Sequence, residues 1–425
     1  MATPPTPPPV RAVARVGATP QQAGPWRLSR YRARQRVGRF RVEQLVVVEL
    51  VLLGVLTLLH RPLWQVVTGG VVGLVVMSAV FASTGGRWWL ARVAMRGRFR
   101  RRRAAARTGR AKDQRLAVLR ELSPALTVES AEERDHRIGI GYDGSGWFAV
   151  AELDFGSRNG VVGEHAGALP FGNLARTVLD DEFPVSTIQV VTHTVPAPSA
   201  GLSGQAACQA SYRELVSTVH SAAAAFQTLW LTVRLDADDA LAAAEERGGG
   251  TDGVHRAIAA ALSRCTKAVE GRGRTCRLLD ADELLDALVR SCGITGTGTS
   301  PGRNRTTEEW DLWRGDGLAH AGYWIETWPP VEADRHGLLT DLIVTCGVEN
   351  SLSIALRRPP LAADGAAEPM IDIHGVLRLM TVSDGLARAG EQAVDIAKRS
   401  GFGLSLLSGE QAPAIFASAP TGLAR

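Results

Sequence analysis

Two apolar runs near the N-terminus stand out from the rest of the chain. The first, at 44–59, reads QLVVVELVLLGVLTLL, and the second, at 63–83, reads LWQVVTGGVVGLVVMSAVFAS. A helix that crosses a bilayer needs about 20 apolar residues. The second run meets that length, whereas the first is short and carries Glu49. Only His60, Arg61 and Pro62 separate the runs, so two helices here must fold back antiparallel. Nine arginines precede Glu43, ten follow the second run between Arg87 and Arg110, and one lies in the turn. Arginine-rich flanks stay on the cytoplasmic side. The pattern predicts a two-helix transmembrane hairpin over 41–84 in the inner (plasma) membrane, with both ends in the cytoplasm. A signal peptide fits less well, because forty residues and a basic flank precede the first run and a second run follows at once. Buried core helices fit less well too, because the arginines crowd both ends. Glu49 reads as a carboxylate near the inner interface, with a functional role as the alternative. Gly69 and Gly73 form a G-x-x-x-G pattern that permits close helix packing.

The hairpin is bracketed by two polar stretches. Residues 1–26 hold seven prolines and no acid, and 27–41 add seven arginines. Such a segment cannot bury a core, so 1–40 is expected to be disordered. Residues 85–122 form a basic juxtamembrane segment. A polar helix over 89–122, weakened by Gly97 and Gly109, is expected to leave the membrane here. Arg96 to Arg115 suits nucleic acid or anionic lipid headgroups. Its place directly under a span favours the lipid, and no nucleic-acid partner is expected.

From residue 123 to 425 the pattern changes to a cytosolic α/β domain. Residues 137–153, RIGIGYDGSGWFAVAEL, read as a hairpin turning at Asp143 to Gly146. Strands are expected at 186–194, 229–235, 275–279, 322–327, 339–346, 352–357, 371–382 and 403–407. Helices are expected at 174–181, 212–226, 237–246, 254–270, 281–291 and 385–398, with loops at 196–204 and 293–307. The alternation from 229 to 291 reads as βαβα, which implies parallel pairing in a mixed sheet.

Charge sharpens the division. Residues 1–115 carry a net +19 and residues 116–425 a net −14. A folded domain that binds nucleic acid is rarely acidic. The five cysteines lie at least eleven residues apart, so zinc ribbons and C-x-x-C redox motifs are excluded by spacing, and reduced thiols are expected.

Candidate chemistry centres on an echo. Asp236-Ala237-Asp238-Asp239 follows one strand, and Asp280-Ala281-Asp282-Glu283 follows another. D-x-D after a strand can hold a divalent metal and a sugar-nucleotide diphosphate, because hard cations want clustered carboxylates. The same residues fit helix N-caps: Asp236 with Asp239, and Asp280 with Glu283. Capping is the favoured reading at both places. Gly139, Gly141 and Gly144 match G-x-G-x-x-G, but a hairpin follows them instead of a helix. No G-K-[ST] occurs, so the chain lacks a phosphate-binding loop of the usual ATPase type. The nine histidines show no ligand spacing. Asp372 and His374 read as surface positions on one strand. Trp310, Trp313, Trp324 and Trp328 read as core or interface packing. No catalytic, cofactor-binding or metal-ligating residue is assigned.

Four segments carry a family resemblance: 136–153, WLTVRLDADDALAAAEERGGGTDGVHRAIAAAL at 230–262, RLLDADELLDAL at 277–288, and GEQAPAIFASAP at 409–420. With the basic N-terminus and the hairpin, they resemble the EccE component of actinobacterial type VII secretion systems, from about residue 40 onward. The resemblance implies a non-catalytic inner-membrane subunit that assembles with EccB, EccC and EccD components to export WXG-type substrates. It also implies a cytosolic α/β domain likened to a degenerate glycosyltransferase. A membrane-tethered glycosyltransferase-like enzyme, and an adaptor for lipid or nucleic acid, remain the alternatives.

Overall fold

The computed structural model describes residues 36–37, 40–58, 61–81, 83–84, 87–105, 113–133, 136–154, 171–180, 185–196, 225–270, 274–294, 306–329, 347–358 and 371–423. The expected disorder before residue 36, the loop at 196–204, most of the helix at 212–226 and the strand at 339–346 lie outside these residues.

The apolar runs form helices α1 (Val42–Leu58) and α2 (Leu63–Phe81), which pack against each other. Leu52, Leu53, Leu56, Val71, Leu74 and Val75 stand exposed on them. Gly73 is buried, and Glu49 is exposed. The hydroxyls of Thr57 and Thr68 donate to Gly54 O (2.8 Å) and Trp64 O (2.7 Å) within their own helices. Among the described residues no helix is long and apolar enough to cross a membrane. The segment that follows forms two helices where one was expected, α3 (Trp89–Ala105) and α4 (Gln114–Leu122).

The remaining described residues build one twelve-stranded sheet. Its strands are β1 (Thr127–Glu133), β2 (His136–Tyr142), β3 (Gly146–Asp154), β4 (Thr187–Pro196), β5 (Ala225–Asp236), β6 (Thr275–Leu278), β7 (Thr306–Glu308), β8 (Trp313–Gly315), β9 (Leu318–Thr327), β10 (Glu349–Arg357), β11 (Asp372–Thr381) and β12 (Gly403–Leu406). The order across the sheet is β7-β8-β9-β11-β10-β4-β5-β3-β2-β1, with β6 beside β3 and β12 beside β9. Its helices are α5 (Phe171–Leu179), α6 (Ala237–Glu245), α7 (Gly250–Val269), α8 (Ala281–Cys292), α9 (Leu386–Arg399) and α10 (Gln411–Ser418).

Every pairing in this sheet is antiparallel, which overturns the expected mixed sheet. The strand-helix alternation from β5 to β6 is real, and both strands run the same way. They are not neighbours, however: each pairs antiparallel with β3, β5 along one edge and β6 along the other. Local pattern sets strand direction and leaves the neighbour open. Other departures are smaller. Ala225 and Phe226 begin β5 where the end of a helix was expected, and β1, β7, β8 and α10 were not foreseen.

The sheet is built from two similar halves. In the first, β2 and β6 share one edge of β3, and Leu279 N donates to Val150 O at 3.1 Å. In the second, β8 and β12 share one edge of β9, and Leu407 N donates to Gly322 O at 2.9 Å. Val150 faces Thr232 and Gly322 faces Arg378 across the next pairing. One strand further, Thr232 faces Gln189 and Arg378 faces Ser351. Gln189 and Ser351 each lie two residues before the central pair Val191 and Ser353, where the halves meet. An approximate two-fold axis therefore passes between β4 and β10.

Both faces of the sheet are covered. That is why β3 and β5 read as near-continuous apolar runs. Helices α5, α6 and α7 cover one face of the first half, with Leu174, Val178, Ala243, Ile258 and Leu262 against Ala149, Ile188 and Leu231. Helix α9 covers the second half. On the opposite face, α4, α8 and α10 bury Leu119, Leu288 and Phe416 against Phe148, Val191 and Trp230.

Candidate functional site

The two aspartate junctions resolve differently. At the end of β5, Asp236 makes no side-chain cap for α6, contrary to expectation. Its carboxylate is held by two arginines: Arg234 Nε donates to Oδ1 and Arg357 Nη2 to Oδ2, both at 2.8 Å. Arg234 is fully buried and also donates through Nη1 to Asp143 Oδ2 (2.7 Å), through Nη2 to Asp143 Oδ1 (3.1 Å), and to Thr421 O (3.1 Å). Burial works against the guanidinium charge, and Asp143 and Asp236 more than reverse it, so its pKa is raised. Ser186 Oγ donates to Asp239 Oδ2 at 2.5 Å and accepts from Asp236 N at 2.7 Å. A cation at this junction would have to displace two guanidinium groups.

At the second junction the cap forms as expected. Glu283 N donates to Asp280 Oδ1 (2.9 Å) and Asp280 N donates to Glu283 Oε2 (3.1 Å), a reciprocal capping box. Arg115, from α4, donates to Asp282 Oδ1 at 2.7 Å and Asp286 Oδ1 at 2.8 Å. Its pKa is raised by Asp113 first, then by Asp286 and Asp282. Asp236 at the first junction and Asp282 and Asp286 at the second thus meet this chain's own arginines. Among the described residues no group of His, Cys, Asp and Glu has metal-binding geometry.

The glycine triplet is a packing device. A Cβ at Gly139 would lie 2.4 Å from Asp280 O, and one at Gly141 would lie 2.3 Å from the Phe148 ring. The glycines let α8 begin directly against β2, where Gly139 N donates to Leu279 O at 2.8 Å. Gly144 supplies the positive φ of 87° at the hairpin turn.

A buried polar band across the seam between the halves escaped sequence reasoning. His193 Nδ1 lies 2.9 Å from Ser351 Oγ, and His193 Nε2 lies 3.4 Å from Glu349 Oε2. Arg378 Nη2 donates to Ser351 Oγ at 2.7 Å and to Ser291 O. This order of groups resembles a serine nucleophile with its base and orienting acid. However, Ser351 is 0% exposed and His193 2%, so no substrate reaches the hydroxyl. Burial lowers the pKa of His193, with Glu349 pulling partly back, and lowers that of His320 well below its ordinary value. The only sequence signal was polar residues at inward strand positions.

Other predicted positions are placed as follows. Asp372 is 7% exposed, against the surface reading, and faces Arg357 of β10; Ile373 beside it is the exposed one at 41%. His374 is half-buried and stacks on Trp324 at 5.5 Å. Trp313 and Trp324 are core, and Trp328 packs on Phe402 at 5.8 Å. Burial pushes the thiols up, Cys265 to about 12 and Cys276 and Cys292 to about 11, which leaves them protonated and unreactive. Cys208 and Cys346 lie outside the described residues.

A groove lies on α3. Arg102 anchors this helix: Nε and Nη2 donate to Glu308 Oε2 (3.0 Å) and Oε1 (2.9 Å), and Nη2 also donates to Gly409 O. Away from that clamp, Arg96, Phe99, Arg100, Arg103 and Ala104 form an open groove of about 560 Å³ with Trp310. Phe99 meets Trp310 edge-on at 5.5 Å. Arg96 lies over Trp310 at 5.8 Å and Arg103 over Phe99 at 5.7 Å.

Together these features define a class: an apolar helical hairpin joined through a basic helix to a duplicated antiparallel α/β domain in which Asp236 and Asp282 are paired with the chain's own arginines. Residues 223–325 match the family model described as "Putative type VII ESX secretion system translocon, EccE". The match runs from the start of β5 to β9 and so crosses from one half of the sheet into the other. No curated protein matches the chain.

Proposed function

We propose that the protein is a non-catalytic inner-membrane subunit of a type VII (ESX-like) secretion complex. In this reading it stabilises or assembles the machinery that exports WXG-type substrates, alongside EccB-, EccC- and EccD-type components. The carrying observation is the family match over 223–325. The aspartate junctions support the non-catalytic part, because Asp236 is held by two arginines, Asp280 caps its helix and Asp282 is held by Arg115.

The hairpin 41–84 is the membrane anchor in this proposal, with 1–40, 85–122 and 123–425 on the cytoplasmic side. Helices α1 and α2 have 17 and 19 residues. At 1.5 Å per residue they reach about 26 and 29 Å, close to a hydrocarbon core of about 30 Å. Thinning of the bilayer and snorkelling of flanking arginines close such a gap at small cost. The exposed leucines and valines of both helices then face lipid, and the basic segment meets anionic headgroups.

The test is a clean deletion with export of WXG-type proteins as the readout, joined to a mild-detergent pull-down of tagged full-length chain. Loss of export and recovery of an ATPase with other membrane subunits is expected. Normal export together with recovery of the chain alone would refute the reading.

A further inference from the structure

We propose that the α3 groove is a binding site for the phosphate headgroup of an anionic phospholipid. The inference rests on the membrane reading above and adds a defined site to it. Arg96, Arg100 and Arg103 recur at helical spacing, which brings them to one face of α3. Arg102 lies on another face, 3% exposed, and its bidentate pair with Glu308 fixes the helix to the domain. The three groove arginines are therefore presented by a clamped helix. The groove lining carries no carboxylate, whereas the arginines at the aspartate junctions and Arg102 all have one.

The floor is aromatic. Phe99 and Trp310 stack edge to face under the guanidinium groups. Cation–π contact holds the Arg96 and Arg103 guanidinium planes and leaves their N–H groups free for a ligand. Arginine forks match phosphate oxygens in pairs. A volume of about 560 Å³ suits one small ligand. An aromatic floor beneath a cationic rim favours a phosphodiester that carries an apolar stem over a free inorganic ion. In the membrane reading, α3 is the first helix to follow α2 out of the bilayer.

The test is native mass spectrometry of the full-length chain, released from mild detergent and titrated with phosphatidylglycerol, with phosphatidylcholine, or with glycerol 3-phosphate. The expected result is one tightly retained phosphatidylglycerol, no comparable phosphatidylcholine, and weak binding of glycerol 3-phosphate. The R96Q/R100Q/R103Q variant should lose retention by at least about tenfold, since each charge-assisted contact contributes on that scale. The R98Q/R101Q variant, which removes two charges from the same helix outside the groove, should keep it. Equal loss in both variants would mean diffuse attraction and would overturn the site, as would equal retention of phosphatidylcholine. Tight binding of glycerol 3-phosphate matching the lipid would reassign the groove to a soluble phosphate ester. Carbonate-resistant membrane association of every variant reports on the hairpin separately, so failure of the anchor and failure of the groove are told apart.

Discussion

The two halves of the sheet share their strand order and differ in how they handle a buried arginine. In the first half, Arg234 has Asp143, Asp236, Ser145 and Thr421 around it, and its fork is filled. Arg378 sits two residues from the equivalent position, on the same face, and meets only Ser351 and a helix carbonyl. Its Nε and Nη1 have no hydrogen-bond partner. Burial accordingly lowers the pKa of Arg378, while that of Arg234 is raised. The neutral Gln189, equivalent to Ser351, answers the same need near the axis by donating to Ala417 O (2.9 Å) and Ala419 O (3.0 Å). Each half thus uses a polar strand residue to hold the last helix of the other: Gln189 holds α10 and Arg378 holds α8. One topology accepts a matched ion network, an amide or an under-paired cation at that seam.

The contrast can be broken at its strong end. Asp143→Ala leaves Arg234 buried with one carboxylate fewer, and breaking a buried pair costs about 3–5 kcal/mol. Denaturant unfolding of the full-length chain in detergent should show that loss; a change under 1 kcal/mol would mean that Asp236 alone satisfies Arg234. The opposite sign is expected for Arg378→Met. Replacing an under-paired buried charge by an apolar residue of similar length is neutral or stabilising, by up to about 4 kcal/mol. A clear destabilisation would show that the Ser291 and Ser351 contacts outweigh the desolvation of the guanidinium.

Acid should act first at the buried histidines. The pKa values of His193 and His320 are depressed in the folded state, so the unfolded chain binds protons more readily. Their stabilising contribution is complete above about pH 6.5, the ordinary histidine value. It is lost as pH falls from there towards the folded pKa, at about 1.4 kcal/mol per pH unit for each histidine. Unfolding midpoints between neutral and mildly acidic pH would show the slope, and His193→Gln should reduce it. A flat profile would contradict the burial of these rings. The smallest effect is expected at Asp280→Ala, which removes the capping box of α8 for about 1 kcal/mol. A cost equal to that of Asp143→Ala would erase the distinction between a cap and a buried ion network.

Much was legible where the cause is local. The apolar hairpin, the turn at Gly144, strands β4, β9 and β11, and helices α6 to α9 follow from period, turn residues and caps within a few positions of each other. The Asp280 capping box is of that kind, since both partners lie within one helical turn. Asp236 shows the limit. Its sequence matches a cap equally well, but Arg357, 121 positions away, takes one of its oxygens. The groove was half legible: the arginines of α3 were conspicuous, and Trp310 was not assigned to them, because 206 residues separate Arg102 from the Glu308 that docks the helix.

What the sequence determined by itself is therefore the inventory: an apolar hairpin, a basic helix, an acidic α/β domain and the family segment at 223–325. Tertiary structure decided the neighbours. Strands β5 and β6 satisfy their backbone groups equally well in a parallel pair or on either side of β3, and nothing within either strand distinguishes the two. The choice is made by β3, whose two edges accept both, and by the two-fold repeat that joins β4 to β10. The same long-range packing set whether an aspartate caps a helix, holds an arginine or is left for a ligand. Ion pairing depends on what lies within a few ångströms in space, and sequence spacing specifies that only inside one element.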